Sequence, residues 1–361
     1  MYSSPLVLGV DCRQSAGKSL YLADTLSNFG NNTGNMVFSE GLYRSILGSR
    51  RSDYHFDKSL ASECDVIVIA AANWLNGYED FGWLLRSVEA TGLPLILVGL
   101  GVQVPDRNAP TRISDGTMGL VRLAAKTSAF VGVRGAFSAA VLRSHGVENV
   151  KAVGCPSFLL APSDWTLMGT SLDNGPALIH GTRHQFNEPN MINGYFYRQA
   201  FCRRLDVLLQ SELPDMYFAL GRTNNLEITK ISGDIVAHSY GGSVSEVSHY
   251  IDKYGRVYFD YDRWRSDMMQ YSVTVGTRIH GTIMSLLSGV PSVLICHDER
   301  TRELAESMPV PSVSSDVLDL SKDLDLDRML ELAHSAHLER RFADYRTRFL
   351  EFLYGNGLQV T

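Results

Sequence analysis

The apolar residues of the chain fall into short runs, separated by longer segments in which apolar positions recur every three or four residues. Short runs rich in valine, isoleucine and leucine are typical of buried β-strands, and the longer period is typical of amphipathic helices. In the first half the pattern predicts strands at Leu6–Val10, Val66–Ala71, Leu95–Gly99, Ala129–Val133 and Val150–Val153. It predicts helices at Asn35–Leu47, Phe81–Thr91, Gly116–Lys126 and Ala136–His145.

A second cycle of the same kind fills the rest of the chain. Strands are predicted at Ala177–His180, Met216–Leu220, Val257–Asp260, Val273–Gly276 and Ser292–Cys296. Helices are predicted at Phe196–Ser211, Ser243–Tyr254, Gly281–Ser288 and Glu299–Met308. The last segment, Asp325–Tyr354, is a long amphipathic helical stretch that we expect to be broken once.

The two cycles are separated by Ala161–Pro176, which is rich in proline, glycine and serine and is typical of a linker. Strands alternating with helices indicate parallel sheets covered by helices. We therefore predict an α/β fold of two Rossmann-like domains, residues 1–165 and 175–340, that face each other across a cleft. Ligands of such sheets bind beyond the carboxyl ends of the strands, so the residues that follow strands are the candidates for function.

Composition narrows the function classes. Of 361 residues, 45% are hydrophobic and 20% charged, and the formal net charge of -6 is a poor match for a nucleic-acid binder, which needs a basic face. The five cysteines are odd in number and form no CxxC pair, which argues against a disulfide framework or a zinc site. No signal-peptide pattern and no apolar stretch of about 20 residues occurs. We expect a cytoplasmic protein, and docking on a membrane surface stays open.

The segment Ser272–Glu303 carries the strongest candidate chemistry. A predicted strand ends at Gly276, Arg278 and His280 follow in the turn, and a helix is predicted from Gly281. Free N–H groups at a helix start attract anions, and the guanidinium of arginine suits phosphate or carboxylate. Histidine can move a proton near neutral pH. We predict catalytic roles for Arg278 and His280 and donor binding by Arg278, Gly281 and Thr282; a polar helix start is the alternative.

Three further strand-end or loop positions are weaker candidates. Arg134 follows the strand at Ala129–Val133 and is predicted to bind the donor, with a surface arginine as the alternative. His180, Arg183 and His184 follow the first strand of the second half and are predicted to bind the acceptor or assist proton transfer, unless they are solvated loop residues. Asn35, after Asn31 and Asn32, could contact sugar hydroxyls, although turn chemistry explains asparagines there almost as well.

Three of these segments together resemble the polysaccharide pyruvyl transferase family. The R-x-H pattern of GTRIHG, followed by GVP and an apolar strand, resembles the family's C-terminal signature. Phe130–Leu159 resembles a family element in which an arginine is followed by a serine, a leucine-rich helix, a glycine and a proline. Pro94–Gln103 resembles the family's strand followed by a G-x-G loop. The resemblance runs in the expected order from about residue 94 to residue 304.

The chain departs from the family pattern at three places. The family often has an aspartate after its arginine, where this chain has Gly135, and an aspartate before the later proline, where this chain has Cys155. Its N-terminal glycine loop usually carries aspartate, whereas Phe29–Phe38 offers asparagines. These changes bear on the acceptor and on the acid–base scheme more than on the fold.

The resemblance implies a GT-B-like fold like that of two-domain glycosyltransferases, with the C-terminal helix, residues 341–361, packing back on the first domain. It implies transfer of a pyruvyl group from phosphoenolpyruvate to two hydroxyls of a sugar in a polysaccharide or its lipid- or nucleotide-linked precursor, with release of phosphate. Phosphoenolpyruvate is then a co-substrate, and no metal or other cofactor is expected. The alternatives are a nucleotide-sugar-dependent glycosyltransferase and a non-catalytic component of a polysaccharide assembly complex. The oligomeric state is left open.

Overall fold

The computed structural model describes residues 1–10, 12, 21–104, 107, 111–166, 175–182, 191–222, 230–333 and 337–361. Strands and helices alternate along both halves of this part of the chain. The strands are β1 Pro5–Leu8, β2 Arg50–Ser52, β3 Val66–Ala70, β4 Leu95–Val98, β5 Val131–Val133, β6 Val150–Ala152, β7 Ala177–His180, β8 Asp206–Leu209, β9 Gly255–Val257, β10 Val273–Gly276, β11 Ser292–Cys296 and β12 Ser312–Ser314.

The helices lie between the strands. In the first half they are α1 Leu22–Ser27, α2 Asn35–Ser45, α3 Lys58–Ala61, α4 Gly82–Glu89, α5 Asp115–Thr127, α6 Ala136–Ser144 and a 3₁₀ turn at Pro156–Leu160. In the second half they are α7 Ile192–Arg203, α8 Leu213–Ala219, α9 Lys230–Tyr240, α10 Val244–Tyr254, α11 Tyr261–Met268, α12 Ile279–Leu287, α13 Glu299–Ser307, a 3₁₀ turn at Ser315–Val317, α14 Leu326–Ala333 and α15 Leu338–Gly355.

The first half forms a parallel sheet in the order β2-β1-β3-β4, and β5 pairs with β6. A parallel bridge between Leu100 and Val133 connects the β5–β6 pair to the edge beyond β4. The central strands β1, β3 and β4 are buried along their whole length, as expected for a sheet covered by helices on both faces.

The second half forms a six-stranded parallel sheet in the order β12-β11-β10-β7-β8-β9. Counted from β7, this is the order 3-2-1-4-5-6 of the Rossmann fold, and it reverses between β7 and β10. Ligands of such sheets bind at this switch point, beyond the carboxyl ends of the two strands. The predicted fold class, two Rossmann-like halves in a GT-B-like arrangement, is confirmed.

The C-terminal helix α15 returns to the first half. The Tyr345 hydroxyl donates to the carbonyl of Cys155 at 2.6 Å, and the Phe130 N–H donates to Asn356 Oδ1 at 2.9 Å. The chain then pairs Val360 with Ile46 at the end of α2. The aromatic residues Phe342, Tyr345 and Phe349 of α15 are buried. The predicted domain boundaries themselves stay predictions.

Two predicted elements of the second half are wrong. Met216–Leu220, predicted as a strand, lies mostly in α8, because Pro214 occupies the first turn of a helix, where proline is tolerated. The true strand β8 falls inside the predicted helix Phe196–Ser211, since α7 ends at Arg203 and Arg204 adopts a left-handed conformation with φ 54°. Short apolar runs fit either periodicity, so the prediction gives a helix where β8 lies and a strand where α8 lies.

Among the residues described, no helix is both long enough and apolar enough to cross a membrane.

Candidate functional site

The switch point of the second sheet is occupied by Arg278 and His180. His180 ends β7, and Arg278 is the N-cap residue of α12, directly after β10. The Arg278 N–H donates to His180 Nδ1 at 3.1 Å, so the two strand ends are tied together by this hydrogen bond. The helix begins at Ile279 rather than at Gly281 as predicted, which places His280 in its first turn.

Arg278 is held by an ion pair. Its Nη2 lies 2.5 Å from Glu212 Oε1, and its Nε donates to the carbonyl of Gly181 at 2.9 Å. Both partners of the ion pair are buried. Burial alone would raise the pKa of Glu212, but the Arg278 guanidinium and the N–H groups of Ser211 and Gln210 lower it to about 2. The predicted central cation is therefore already neutralised by a carboxylate of its own sheet.

His280 lies between the two halves and is 6% exposed. Its Nε2 is 3.6 Å from the sulfur of Cys155, and its ring packs against Phe38 of α2 with 5.6 Å between centroids. Burial lowers its pKa, and the cations Arg134, Arg300 and Arg278 lower it further, to about 3. His280 is thus a neutral imidazole surrounded by positive charge at neutral pH.

Arg134 follows β5 and points its guanidinium into the same region. Its Nε donates to the carbonyl of Gly99 at 3.1 Å and its Nη1 donates to Asn73 Oδ1. In the described part of the chain no carboxylate lies within ion-pair distance of this guanidinium. Burial lowers the pKa of Arg134. Burying a cation that has only neutral partners costs free energy unless an anion pairs with it. An arginine that binds an anionic ligand is expected to be in this unpaired state before the ligand binds.

Arg300 is a second cation near His280, and the sequence-based prediction missed it. Its Nη2 is 3.4 Å from Asp298 Oδ2, while its buried Nε has no hydrogen-bond partner among the described residues. Its charge acts on both His280 and Arg134. The sequence pattern could have indicated Arg300, because it follows β11 at the start of α13. This is the same strand-end position from which Arg278 and Arg134 are predicted.

Gln210 is the other residue that the prediction missed. It follows β8, its carbonyl accepts the Thr33 N–H at 2.8 Å, and its buried Oε1 has no partner among the described residues. A Cβ added to Gly34 would lie 2.5 Å from Gln210 Nε2 and 3.0 Å from His280 Nδ1. Gly34 therefore allows the loop before α2 to approach both side chains, and residue 34 must stay small.

The departure at Gly135 also has a structural reason. Gly135 is the N-cap residue of α6, where aspartate commonly accepts an N–H of the first turn. Here Glu303 of the second half does so, accepting from the Ser138 N–H at 2.6 Å and the Ser138 hydroxyl at 2.8 Å. A Cβ on residue 135 would lie 2.3 Å from Glu303 Cγ. Glycine thus lets a carboxylate from the other half cap this helix.

Of the predicted acceptor residues, the structure describes His180 and Asn35, and both are engaged in local contacts. His180 is fully buried, and burial together with Arg278 lowers its pKa to about 3, so its position serves to hold the strand ends. Asn35 Nδ2 donates to the carbonyl of Phe29 at 2.8 Å and closes its own turn. Arg183 and His184 lie outside the described residues.

The predicted donor residues of α12 are packing positions. Thr282 is fully buried and its hydroxyl donates to the carbonyl of Arg278 at 3.3 Å. A Cβ on Gly281 would lie 3.0 Å from the His180 ring, so glycine lets α12 sit close to β7. Both residues support the turn that carries Arg278 and His280.

A cavity of about 840 Å³ lies beside this region, at the carboxyl ends of β1 and β2. Gly30 lines it, and Gly34 lies next to His280, so the two places are four positions apart along the chain, at most about 14 Å. At the edge of the cavity, the His55 ring stacks on the Trp83 ring with 4.5 Å between the two ring centroids. Polar and aromatic groups line the cavity, among them Ser27, Asn28, Tyr43, Asp53, Tyr54 and His55.

In the part of the chain that the structure describes, no three His, Cys, Asp or Glu side chains are grouped to hold a metal ion. The expectation of a reaction without metal or cofactor stays a prediction.

The family model described as polysaccharide pyruvyl transferase matches residues 20–299 of the chain. A search of curated proteins gives no significant match. Among solved structures, the UDP co-structure of MnaA from S. aureus is 9% identical, with 98% of this chain and 96% of that chain covered and a TM-score of 0.46. Os79 from O. sativa in complex with UDP is 12% identical, with 97% and 94% covered and a TM-score of 0.39.

Proposed function

Since the chain belongs to the polysaccharide pyruvyl transferase family, we propose that it moves the pyruvyl group of phosphoenolpyruvate to two hydroxyls of one sugar, forming a cyclic ketal and releasing phosphate. The acceptor is a sugar of a polysaccharide or of its lipid- or nucleotide-linked precursor. Phosphoenolpyruvate is a cytoplasmic metabolite, so we place the reaction in the cytoplasm.

The observation that carries the proposal is a pair of incompletely neutralised cations beside a neutral histidine. Phosphoenolpyruvate has a phosphate and a carboxylate, and each needs a donor group. Among the described residues, Arg134 has only neutral hydrogen-bond partners, and the buried Nε of Arg300 has none. Planar guanidinium groups bind both anions in bidentate geometry. We assign donor binding to Arg134 and Arg300, while Arg278, paired with Glu212, orients the turn that carries His280.

The reaction needs one proton to arrive at carbon and two to leave oxygen. Protonation of the methylene carbon of phosphoenolpyruvate makes the adjacent carbon electrophilic, and the first sugar hydroxyl adds there and loses its proton. Phosphate leaves with the electron pair of its C–O bond, and the second hydroxyl adds to the same carbon and loses its proton. One of the two hydroxyl protons balances the proton delivered to carbon, and the other leaves with phosphate or solvent.

His280 is our candidate for moving these protons. In the free protein its pKa of about 3 reflects burial and three nearby arginines. A bound anionic donor offsets those charges and raises the proton affinity of the ring. A neutral imidazole that becomes protonated only when the donor is bound can take a hydroxyl proton and deliver a proton to carbon.

The acceptor would occupy the cavity at the ends of β1 and β2. Carbohydrates bind through hydroxyl and amide groups combined with aromatic faces, and the cavity offers both. It lies to one side of His280, so we assign it to the part of the acceptor next to the reacting sugar.

The test is to incubate the protein with phosphoenolpyruvate and a panel of simple glycosides, to follow phosphate release, and to identify the ketal by mass spectrometry and NMR. We expect phosphate release to require a glycoside with two suitably placed hydroxyls. His280→Gln is the matched inactive control, with turnover expected to fall about 10²- to 10⁴-fold, the usual contribution of a positioned acid or base.

Two outcomes would refute the proposal. Turnover of a UDP-sugar with no binding of phosphoenolpyruvate would make the protein a glycosyltransferase. Binding of neither donor, with an intact fold, would indicate a non-catalytic component of an assembly complex.

A further inference from the structure

Cys155 is the polar neighbour of His280 on the Nε2 side of its ring. The Cys155 sulfur lies 3.6 Å from His280 Nε2, within hydrogen-bond distance for sulfur, although the two residues are 125 positions apart. Cys155 is 1% exposed, and its carbonyl accepts the Tyr345 hydroxyl at 2.6 Å, so α15 fixes its backbone. The thiol is therefore a held partner of the imidazole rather than an incidental neighbour.

The hydrogen bond of Ser157 indicates the direction in which the thiol acts. The Ser157 hydroxyl donates to the Cys155 sulfur at 3.2 Å, so the sulfur already accepts one hydrogen bond. A thiol has a single proton to donate, and Nε2 of a neutral imidazole can accept it. If the S–H group donates to Nε2, the ring proton must be on Nδ1, the nitrogen that lies against Gly34 and near Gln210.

We propose that Cys155 is a positioning residue for His280: its thiol donates a hydrogen bond to Nε2 and fixes the neutral Nδ1–H tautomer, so that Nδ1 is the nitrogen that gives a proton to the reactants and Nε2, on the side of the thiol, is the nitrogen that takes one up. The catalytic part of this statement rests on the proposed function; the tautomer does not.

The surroundings of His280 explain why a thiol suits this place. The charged groups that act on the ring are Arg134 after β5, Arg278 at the start of α12 and Arg300 in α13, while the uncharged Gly34 and Phe38 approach it from the start of α2. A carboxylate at residue 155 would accept a hydrogen bond from Nε2–H and would favour the charged ring, typically by about 1–3 pKa units. A thiol gives the ring a directed partner without that charge.

The test uses NMR of the imidazole nitrogens in protein labelled with ¹⁵N-histidine, without substrate. The chain has ten histidines, and the signal lost in His280→Gln assigns the ring. We expect an Nδ1–H tautomer in the native protein and in Cys155→Ser, whose hydroxyl can also donate. We expect an Nε2–H tautomer in Cys155→Asp, with the pKa of His280 raised by about 1–3 units, and mixed tautomers in Cys155→Ala.

Cys64→Ala is the matched control, because Cys64 lies in the first half and its thiol donates to the carbonyl of Leu60, a contact of its own helix region. It should leave the His280 signals unchanged. Thermal melting of each variant shows whether it is folded, and Cys155→Ala, compared with Cys155→Ser, carries the test if Cys155→Asp does not fold.

Catalysis provides the second measurement. The limb of the pH–rate profile that belongs to His280 should move to higher pH in Cys155→Asp and stay in place in Cys155→Ser. An Nε2–H tautomer in the native protein, a thiolate at Cys155, or a His280 signal that does not respond to Cys155→Ala and Cys155→Asp would overturn the inference. If no glycoside is pyruvylated, the proposed function fails while the tautomer is still decided by the spectra.

Discussion

Arg134 and Arg278 occupy matching places in the two halves, since each follows a parallel strand and precedes a helix. Their surroundings differ. Arg278 is paired with buried Glu212 at 2.5 Å, whereas in the described part of the chain Arg134 bonds only the carbonyl of Gly99 and the amide of Asn73. Position after a strand therefore indicates where a ligand binds, but the partner of each charge decides whether it is available to the ligand.

This comparison changes the expected ranking of the two arginines. From the sequence, Arg278 is the main donor-binding cation and Arg134 the lesser one. In the structure the charge of Arg278 is balanced within its own sheet, and the charge of Arg134 is not. We therefore expect Arg278 to matter most for stability and Arg134 to matter most for the donor.

The largest effect should come from Arg278→Ala. The substitution leaves the Glu212 carboxylate buried without its cation, and breaking a buried ion pair costs about 3–5 kcal/mol. Urea unfolding at neutral pH should show this loss in the free energy of unfolding.

The matched control is Arg278→Met combined with Glu212→Gln, which removes both charges. It should recover most of the lost stability. If Arg278→Ala is as stable as the native protein and instead loses affinity for phosphoenolpyruvate, the contrast between the two arginines is wrong. Arg278 is then a cation that binds the donor.

Arg134→Ala should act on the donor. Loss of one partner of a desolvated charge pair costs about 2–5 kcal/mol, or roughly 30-fold to several thousand-fold in affinity for phosphoenolpyruvate. Stability should change much less than in Arg278→Ala, because no carboxylate of the described residues forms an ion pair with Arg134 and buried Glu303 interacts with it only at longer range. Isothermal titration with phosphoenolpyruvate and thermal melting measure the two quantities.

Arg263→Ala is the control for that measurement, since the Arg263 side chain is 78% exposed and its ion pair with Asp267 is long, at 3.8 Å. It should change neither affinity nor stability. If Arg134→Ala binds phosphoenolpyruvate as tightly as the native protein does, the donor does not bind at Arg134 of the first half.

The stability of the protein should fall between about pH 6.5 and pH 3. His180 and His280 have folded-state pKa values of about 3, against about 6.5 when unfolded. Over this range the unfolded chain binds more protons than the folded one, so the free energy of unfolding decreases as pH falls. Glu212, with its pKa lowered to about 2, adds a loss in the same direction below about pH 4.3.

The comparison of the two arginines sharpens this prediction. Of the three arginines that lower the pKa of His280, Arg134 has the largest effect. Arg134→Ala should raise that pKa more than the paired Arg278→Met and Glu212→Gln change does. Unfolding free energies across pH, with His280→Gln as reference, measure the contribution. A His280 pKa that moves more in the paired variant would reverse the assignment of the two arginines.

The smallest effect should come from Asn35→Ala. Asn35 closes the turn before α2 through the carbonyl of Phe29, and loss of such a hydrogen bond costs about 1 kcal/mol. We expect a small decrease in stability and an unchanged Michaelis constant for the glycoside. A raised Michaelis constant with unchanged stability would restore Asn35 to the acceptor site.

Most of the first half could be predicted from the sequence, because its strands are continuous apolar runs and its helices have regular amphipathic periods. β3 and β4 differ from their predicted ranges by one residue at the end. In the second half β8 was missed, because it follows α7 after only two residues and its apolar run continues the helical pattern. Such short runs acquire their conformation from the sheet that they join.

The sequence alone determined that parallel sheets are present in both halves, that Arg134, Arg278 and His280 stand at strand ends, and that the family signature is present. These follow from local periodicity and from the strand-to-helix turn, which involve residues close along the chain. Tertiary structure alone decided which charges are neutralised and which nitrogen of His280 has a partner. Glu212 is 66 residues from Arg278, and Cys155 is 125 residues from His280. Electrostatic pairing depends on distance in space and on burial, and neither can be read from the spacing of residues along the chain.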